Sequence, residues 1–184
     1  MSKHSLEGLV IRKHSGFYWV QTANGLLPCK LKGRLKRMYI NEDVVAVGDH
    51  VSMDAVLDGT GVIEKIEPRK NALLRLAPAA RREYKQVLLA NLDQAVFVFA
   101  CTQPDPSLRM LDRFLVIAEK NQIPSLIVVN KIDLLSRKKA HKIFSVYENL
   151  HYKIVYTSAK TGKGVRSLEK QLIRKISAFA GPSG

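Results

Sequence analysis

The sequence predicts two units in tandem: a small all-β barrel of OB-like form over residues 1–68 and an α/β domain with a parallel sheet over 91–184. Three observations predict this. Short strands separated by turns fill the first seventy residues. Continuous apolar runs alternating with helical periods fill the last ninety. Between them, residues 69–90 form a basic linker in which Arg69, Lys70, Arg75, Arg81, Arg82 and Lys85 surround Ala77-Pro78-Ala79-Ala80 and nothing alternates cleanly.

In order along the chain, strands are expected at 9–13, 17–22, 26–31, 50–54 and 62–67. Asn24-Gly25 is a two-residue hairpin signal, because both residues tolerate the positive φ of a type I′ turn. Five short strands suggest a small barrel, and the OB-like Greek key, one such fold, commonly binds nucleic acid. In the second domain, 95–101 reads as a buried strand. Asp105 and Pro106 then supply an N-cap and a first-turn proline for a helix with Leu108, Leu111, Leu115 and Ala118 on one face. A strand at 125–130, a helix at 137–150 and a strand at 154–158 follow. A last helix carries Val165, Leu168, Leu172, Ile176 and Phe179 on one stripe. The β-α-β-α-β-α order implies a parallel sheet covered by helices, with ligands beyond the carboxyl ends of its strands.

Of 184 residues, 30 are Lys or Arg and 16 Asp or Glu, a formal net charge of +14 that points to a polyanionic partner. Hydrophobic content of 46% excludes global disorder. No apolar run is long enough to cross a bilayer and the first residues lack a signal-peptide pattern, so a cytoplasmic protein with no membrane partner is expected. Cys29 and Cys101 are the only cysteines, too few for a disulfide framework, and no Cys or His pair has zinc-ligand spacing. The five histidines receive no role.

The chemistry gathers where strands end. Strand 125–130 runs directly into Asn130-Lys131-Ile132-Asp133. A carboxylate at Asp133 can accept from both the N1–H and the 2-amino group of guanine, whereas adenine offers an acceptor at N1 and no 2-amino group. Asn130 can bond the base or brace the loops, and the Lys131 stem can cover a flat ring while its ammonium stays wet. Chance alone gives Asn-Lys-any-Asp in about one chain in fifty of this length, and a solvated turn is the bland alternative. Against that alternative, Ser158-Ala159-Lys160 ends the next strand in the same way, and the Ala159 amide can donate to a guanine carbonyl. The final Gly181-Pro182-Ser183-Gly184 matches the opening of a phosphate-binding loop, G-x-x-x-x-G-K-[ST]; taken alone it reads as a flexible tail.

On the basic side, Lys30, Lys32, Arg34, Lys36 and Arg37 crowd the segment after the third strand, near Tyr39 and the earlier Phe17, Tyr18 and Trp19. They are candidate RNA-binding residues, cations for phosphates and aromatics for unpaired bases. Alternation puts Phe17 and Trp19 on one strand face and Tyr18 on the other, so one of the two faces belongs to the core.

The order barrel, basic segment, Asn130-Lys131-Ile132-Asp133, Ser158-Ala159-Lys160-Thr161-Gly162 and then the Gly181 stub resembles the circularly permuted GTPases, specifically the ribosome small-subunit-dependent GTPase A family. Asn91-Leu92-Asp93-Gln94 and Leu111-Asp112-Arg113-Phe114-Leu115 support the match. The resemblance implies an OB barrel on the 16S rRNA of the small (30S) ribosomal subunit, followed by an incomplete, circularly permuted P-loop GTPase domain. It implies GTP hydrolysis in late subunit maturation, GTP or GDP with Mg²⁺ as ligands, and a monomer when full-length. It carries Asn130, Lys131, Ile132 and Asp133 and Ser158, Ala159 and Lys160 over as guanine contacts, and Gly181, Pro182, Ser183 and Gly184 as the start of the phosphate loop. The rest of that loop, the switch segments and the family's Zn²⁺-binding domain have no counterpart in the 184 residues. The chain is therefore expected to be a fragment with little turnover of its own; a non-enzymatic RNA-binding adaptor is the alternative.

Overall fold

Alternation in the first strands decides which side chains fill the barrel. In β2 (Phe17–Thr22) Tyr18 and Val20 are buried, while Phe17 and Trp19 lie on the outer face. Val10 of β1 (Ser5–His14), Cys29 and Leu31 of β3 (Gly25–Leu31), Val51 and Met53 of β4 (His50–Ala55) and Ile63 of β5 (Gly61–Ile66) complete the inner set. Each such side chain taken from water contributes roughly 1.5–3 kcal/mol. The strands close in the order β1-β2-β3-β5-β4, all antiparallel except β3 with β5, and the short helix α1 (Gly33–Met38) follows β3 and puts Leu35 in the core. The expected small all-β barrel is present. The computed structural model describes residues 5–38, 43–56, 59–76 and 85–182, and the chain divides into two units between Asn91 and Leu92.

Two features of this unit differ from the sequence reading. Thr22 pairs with Gly25, so Ala23 and Asn24 form the β2–β3 turn; only Gly25 of the expected pair has positive φ (+117°), which excludes a type I′ turn centred on Asn24-Gly25. The stretch expected as an irregular linker contains an antiparallel hairpin, β6 (Ala72–Leu76) with β7 (Lys85–Ala90), while residues 77–84 lie outside the described residues. A register shift between Leu73 and Leu74 breaks the alternation that would have announced it. The hairpin packs on the barrel through Ala46, Val87, Ala90 and Ala72. Arg69 fastens its approach: Nε and Nη2 donate to the two oxygens of fully buried Asp49, each at 2.8 Å, and Nη2 also reaches the Asp43 and Val44 carbonyls at 3.2 Å.

In the second unit four parallel strands lie in the order β10-β9-β8-β11: Lys153–Tyr156, Ser125–Asn130, Gln94–Ala100 and Ser177–Ala180. On one face Val96, Leu126, Val128 and Val155 meet Leu168 and Leu172 of α4 (Val165–Leu172). On the other, Phe97 and Phe99 meet Phe114 of α2 (Leu108–Lys120) with ring centroids 5.4 and 6.2 Å apart. Helix α3 (Arg137–Asn149) is tied to α2 by the Tyr147 hydroxyl, which donates to Asp112 Oδ1 at 2.8 Å. The N-cap of α2 is Ser107, two residues beyond the expected Asp105, and Pro106 stays outside the helix.

The last helix ends early. Its stripe does not continue to Ile176 and Phe179: α4 stops at Leu172, Arg174 turns the chain with φ +57°, and Ser177–Ala180 pairs with β8 as β11. As a strand parallel to β8, β11 delivers Gly181 to the carboxyl ends of the sheet, where Asn130 and Ser158 also lie.

Candidate functional site

The carboxyl ends of β9 and β10 are cross-tied before any side chain is considered. Thr157 N–H donates to Val129 O at 2.8 Å, and Ile132 N–H donates to Thr157 O at 3.2 Å. Side chains complete the junction. Ser158, fully buried, donates its hydroxyl to Asp133 Oδ1 at 2.5 Å and accepts from Thr161 N–H at 3.2 Å. Asn130 Oδ1 accepts from Ala159 N–H at 3.0 Å and from the Thr157 hydroxyl at 3.3 Å. The two loops that the sequence reading proposed to act together are thus joined residue to residue. Asn130, Lys131, Asp133, Leu134, Ala159 and Lys160 line a cavity of ≈ 370 Å³, within the usual range for small-molecule sites.

Asp133 is exposed and its carboxyl is held below the ordinary carboxylate range. The Ser158 hydroxyl is the main cause; the Asp133 backbone amide and the charges of Lys160 and Lys131 act in the same direction, against some desolvation. An ionised, acceptor-only carboxylate suits a donor pair such as guanine's N1–H and 2-amino group. The Ala159 amide, offered by the sequence reading to a base carbonyl, donates to Asn130 here, so an entering carbonyl competes with the Asn130 side chain for that proton.

Lys131 occupies a positive φ of +65°, a conformation that costs a side-chain-bearing residue about 1–2 kcal/mol. Two contacts hold it. The Cys101 thiol donates to Lys131 O at 3.2 Å, and the Lys131 ammonium donates to Gln103 O. Cys101 also donates its amide to Asn130 O at 2.9 Å, and burial pushes its thiol pKa up, keeping it a neutral donor. Ile132 faces a different cavity, ≈ 440 Å³, with Tyr156, Lys163 and Gly164.

Glycines allow two close approaches. Gly164, at φ +76°, leads into α4, and a Cβ there would lie 2.0 Å from Tyr156 O. Gly181 directly follows β11, and a Cβ there would lie 2.4 Å from Val98 O. In a parallel sheet β11 and β9 are two strand spacings apart, about 10 Å, so Gly181 and exposed Pro182 emerge on the edge that carries Asn130. Ser183 and Gly184 lie outside the described residues.

Sequence reasoning missed Thr157, Thr161, Cys101 and Gln103. Thr161 and Cys101 could have been found, since each adjoins or ends an element that the pattern already located. The basic cluster is split. Lys32 Nζ pairs with Glu64 at 2.5 Å and Arg34 Nη2 at 3.3 Å, whereas Lys30 lies over the Phe17 ring at 5.1 Å. The side chains of Lys36 and Arg37, and Tyr39 altogether, lie outside the described residues.

A five-stranded barrel joined to a parallel sheet with these loops is the fold of the circularly permuted GTPases. The solved structure of YloQ, described as a circularly permuted GTPase, is similar with a TM-score of 0.78 at 31% identity, covering 98% of this chain and 61% of that one. YjeQ from Thermotoga maritima gives the same TM-score at 36% identity, with the same shares covered. The RsgA GTPase family model matches residues 66–184 and the RsgA N-terminal domain model residues 7–63. The chain belongs to the RsgA GTPase family. One relative, named Small ribosomal subunit biogenesis GTPase RsgA, from Caldanaerobacter subterraneus, is 37% identical over 179 residues, 97% of this chain and 56% of that protein. The chain therefore spans a little over half the length of this relative.

Proposed function

We propose that the second unit binds guanine nucleotides, with Asn130, Lys131 and Asp133 and Ala159 and Lys160 forming the base site, Ser158 bracing Asp133, and Ile132, which faces the other cavity, only spacing Lys131 from Asp133. The observation that carries this reading is the 2.5 Å bond from Ser158 to Asp133, which fixes one carboxylate oxygen and keeps the group ionised at the mouth of a cavity. Asp133 takes the N1–H and 2-amino protons. The Ala159 amide turns from Asn130 to the base carbonyl, and Lys131 and Lys160 flank the slot. Phosphates extend toward Gly181, Pro182, Ser183 and Gly184, the stretch whose sequence matches the opening of a phosphate-binding loop.

The whole protein, on this reading, hydrolyses GTP in maturation of the small (30S) subunit in the cytoplasm. The barrel holds 16S rRNA through Lys30, Lys32, Arg34, Lys36 and Arg37, and the protein acts as a monomer. Among the described residues no group of three or more His, Cys, Asp or Glu is placed to hold a metal ion. Among them, too, no helix is long and apolar enough to cross a membrane. The test is displacement of a fluorescent GDP analogue from this chain. GDP should compete and ADP should fail at a hundredfold higher concentration; equal competition would remove the guanine reading.

A further inference from the structure

The outer face of β1–β3 carries a strip of alternating cations and rings. Arg12 stands opposite Trp19, and its guanidinium lies 4.5 Å from that ring's centroid. Phe17 and Trp19 are neighbours, centroids 6.3 Å apart and planes inclined at 48°. Lys30, one residue beyond the Tyr18–Cys29 pair, places its ammonium 5.1 Å from the Phe17 ring. The strip is not core: Tyr18 and Val20 take the inward positions, while Arg12 and Lys30 are exposed and the two rings half-buried.

Its charge is unmatched. Among the described residues neither Arg12 nor Lys30 has an ion pair, and the carboxylate of the adjoining β5, Glu64, is taken up by Lys32 and Arg34. The ring faces offset the two cations only in part, since each such contact is worth about 0.5–1 kcal/mol at exposed sites. A partner bearing anions at regular intervals and a flat π-face between them would satisfy both sets of groups together, and a single-stranded nucleic acid has that chemistry. In a duplex the bases are stacked on each other and their faces are closed to Trp19. The location also agrees with the ligand face of OB folds, which lies over strands 2 and 3.

We propose that Arg12, Phe17, Trp19 and Lys30 form a site for unpaired RNA, in which a base stacks on the Trp19–Phe17 strip and the flanking phosphates are neutralised by Arg12 and Lys30. The site rests on the RNA-binding reading of the barrel, and names its strandedness and a platform separate from Lys32 and Arg34.

Trp19 is the only tryptophan of the chain, so its fluorescence reports the site directly. The full 184-residue chain is titrated with octaadenylate and with a fully paired, G·C-rich RNA duplex at low salt. Octaadenylate should quench Trp19, and the duplex should bind with little quenching. Trp19→Ala, followed by anisotropy of labelled octaadenylate, should weaken single-strand binding by roughly 5- to 150-fold with little change for the duplex. Trp19→Phe should restore most of the loss, and Arg12→Gln should weaken binding without touching a ring. Salt-dependent RNA binding that ignores both Trp19→Ala and Arg12→Gln would overturn the site while leaving the RNA reading standing. No RNA binding at low salt would overturn both, and quenching by the protein fraction of small subunits with none by RNA would overturn it in favour of a protein partner.

Discussion

Replacing Arg69 by Met should show that the segment after the barrel is part of the barrel's stability. Asp49 is fully buried, and its carboxylate accepts from Arg69 Nε and Nη2 and from the Ala46 amide, all at 2.8 Å. Methionine preserves much of the aliphatic stem but removes both charge-assisted bonds and the donors to the Asp43 and Val44 carbonyls. Asp49 would be left with one amide donor in a dry site. Breaking a buried pair from one side costs about 3–5 kcal/mol, a large part of the 5–15 kcal/mol typical of whole domains. With a urea slope of about 1–1.5 kcal/mol/M for a unit this small, the midpoint should fall by about 2 M or more. Trp19 fluorescence follows the transition, since the only tryptophan sits in β2. Adding Asp49→Asn should recover part of the loss, because a neutral amide costs less to bury unpaired than a carboxylate. A midpoint shift below about 0.5 M for Arg69→Met would refute the reasoning and return 69–90 to the status of a loose connection.

Two further predictions concern binding. Asp133 is depressed chiefly by Ser158, so its ionised, base-binding form persists to pH values below the ordinary carboxylate range, and GDP affinity is lost only as pH falls through that lowered value. Ser158→Ala should move this acid limb of the affinity profile upward, measured by GDP titration at a series of pH values; an unmoved limb would mean that the hydroxyl does not set the carboxylate's ionisation. On the barrel, Glu64→Gln should release Lys32 and Arg34. RNA binding should tighten, because the two cations no longer have to leave a carboxylate to reach phosphates; unchanged affinity would place those two cations away from RNA.

How much was legible depended on whether the local pattern had a competitor. The apolar run 125–130 had none, being too short for a helix and bounded by polar residues, so its end placed Asn130 and Asp133 correctly. Ile176 and Phe179 did have one: they continue the 3.6-residue period of Val165, Leu168 and Leu172 in phase, although Ile173 already leaves the helix with ψ +129°. The signal against the longer helix lay in the chemistry, because a phosphate loop follows a strand, and Gly181 therefore demanded a strand where β11 lies. In β7 the extra residue Leu88, opposite the Leu73–Leu74 step, interrupted alternation, and nothing in the sequence announced the Arg69–Asp49 pair that anchors the hairpin. The guanine-reading residues were recognisable by type, but their bracing was not. That Cys101 reaches the Lys131 carbonyl, and that Asn130 holds the Ala159 amide, depends on strand register. The cations near Lys30 gave a similar lesson: their number was plain, and only the fold showed that two of them face Glu64 while Lys30 and Arg12 face rings.

Most direct of all is a comparison of GDP and xanthosine diphosphate binding to the wild-type chain and to Asp133→Asn. Xanthine carries an oxo group where guanine carries the 2-amino group, and an amide side chain can donate to it where a carboxylate cannot. The wild type should prefer GDP, and the variant should reverse that order by a combined factor on the order of tenfold or more. The same preference in both proteins would contradict a base site built on Asp133.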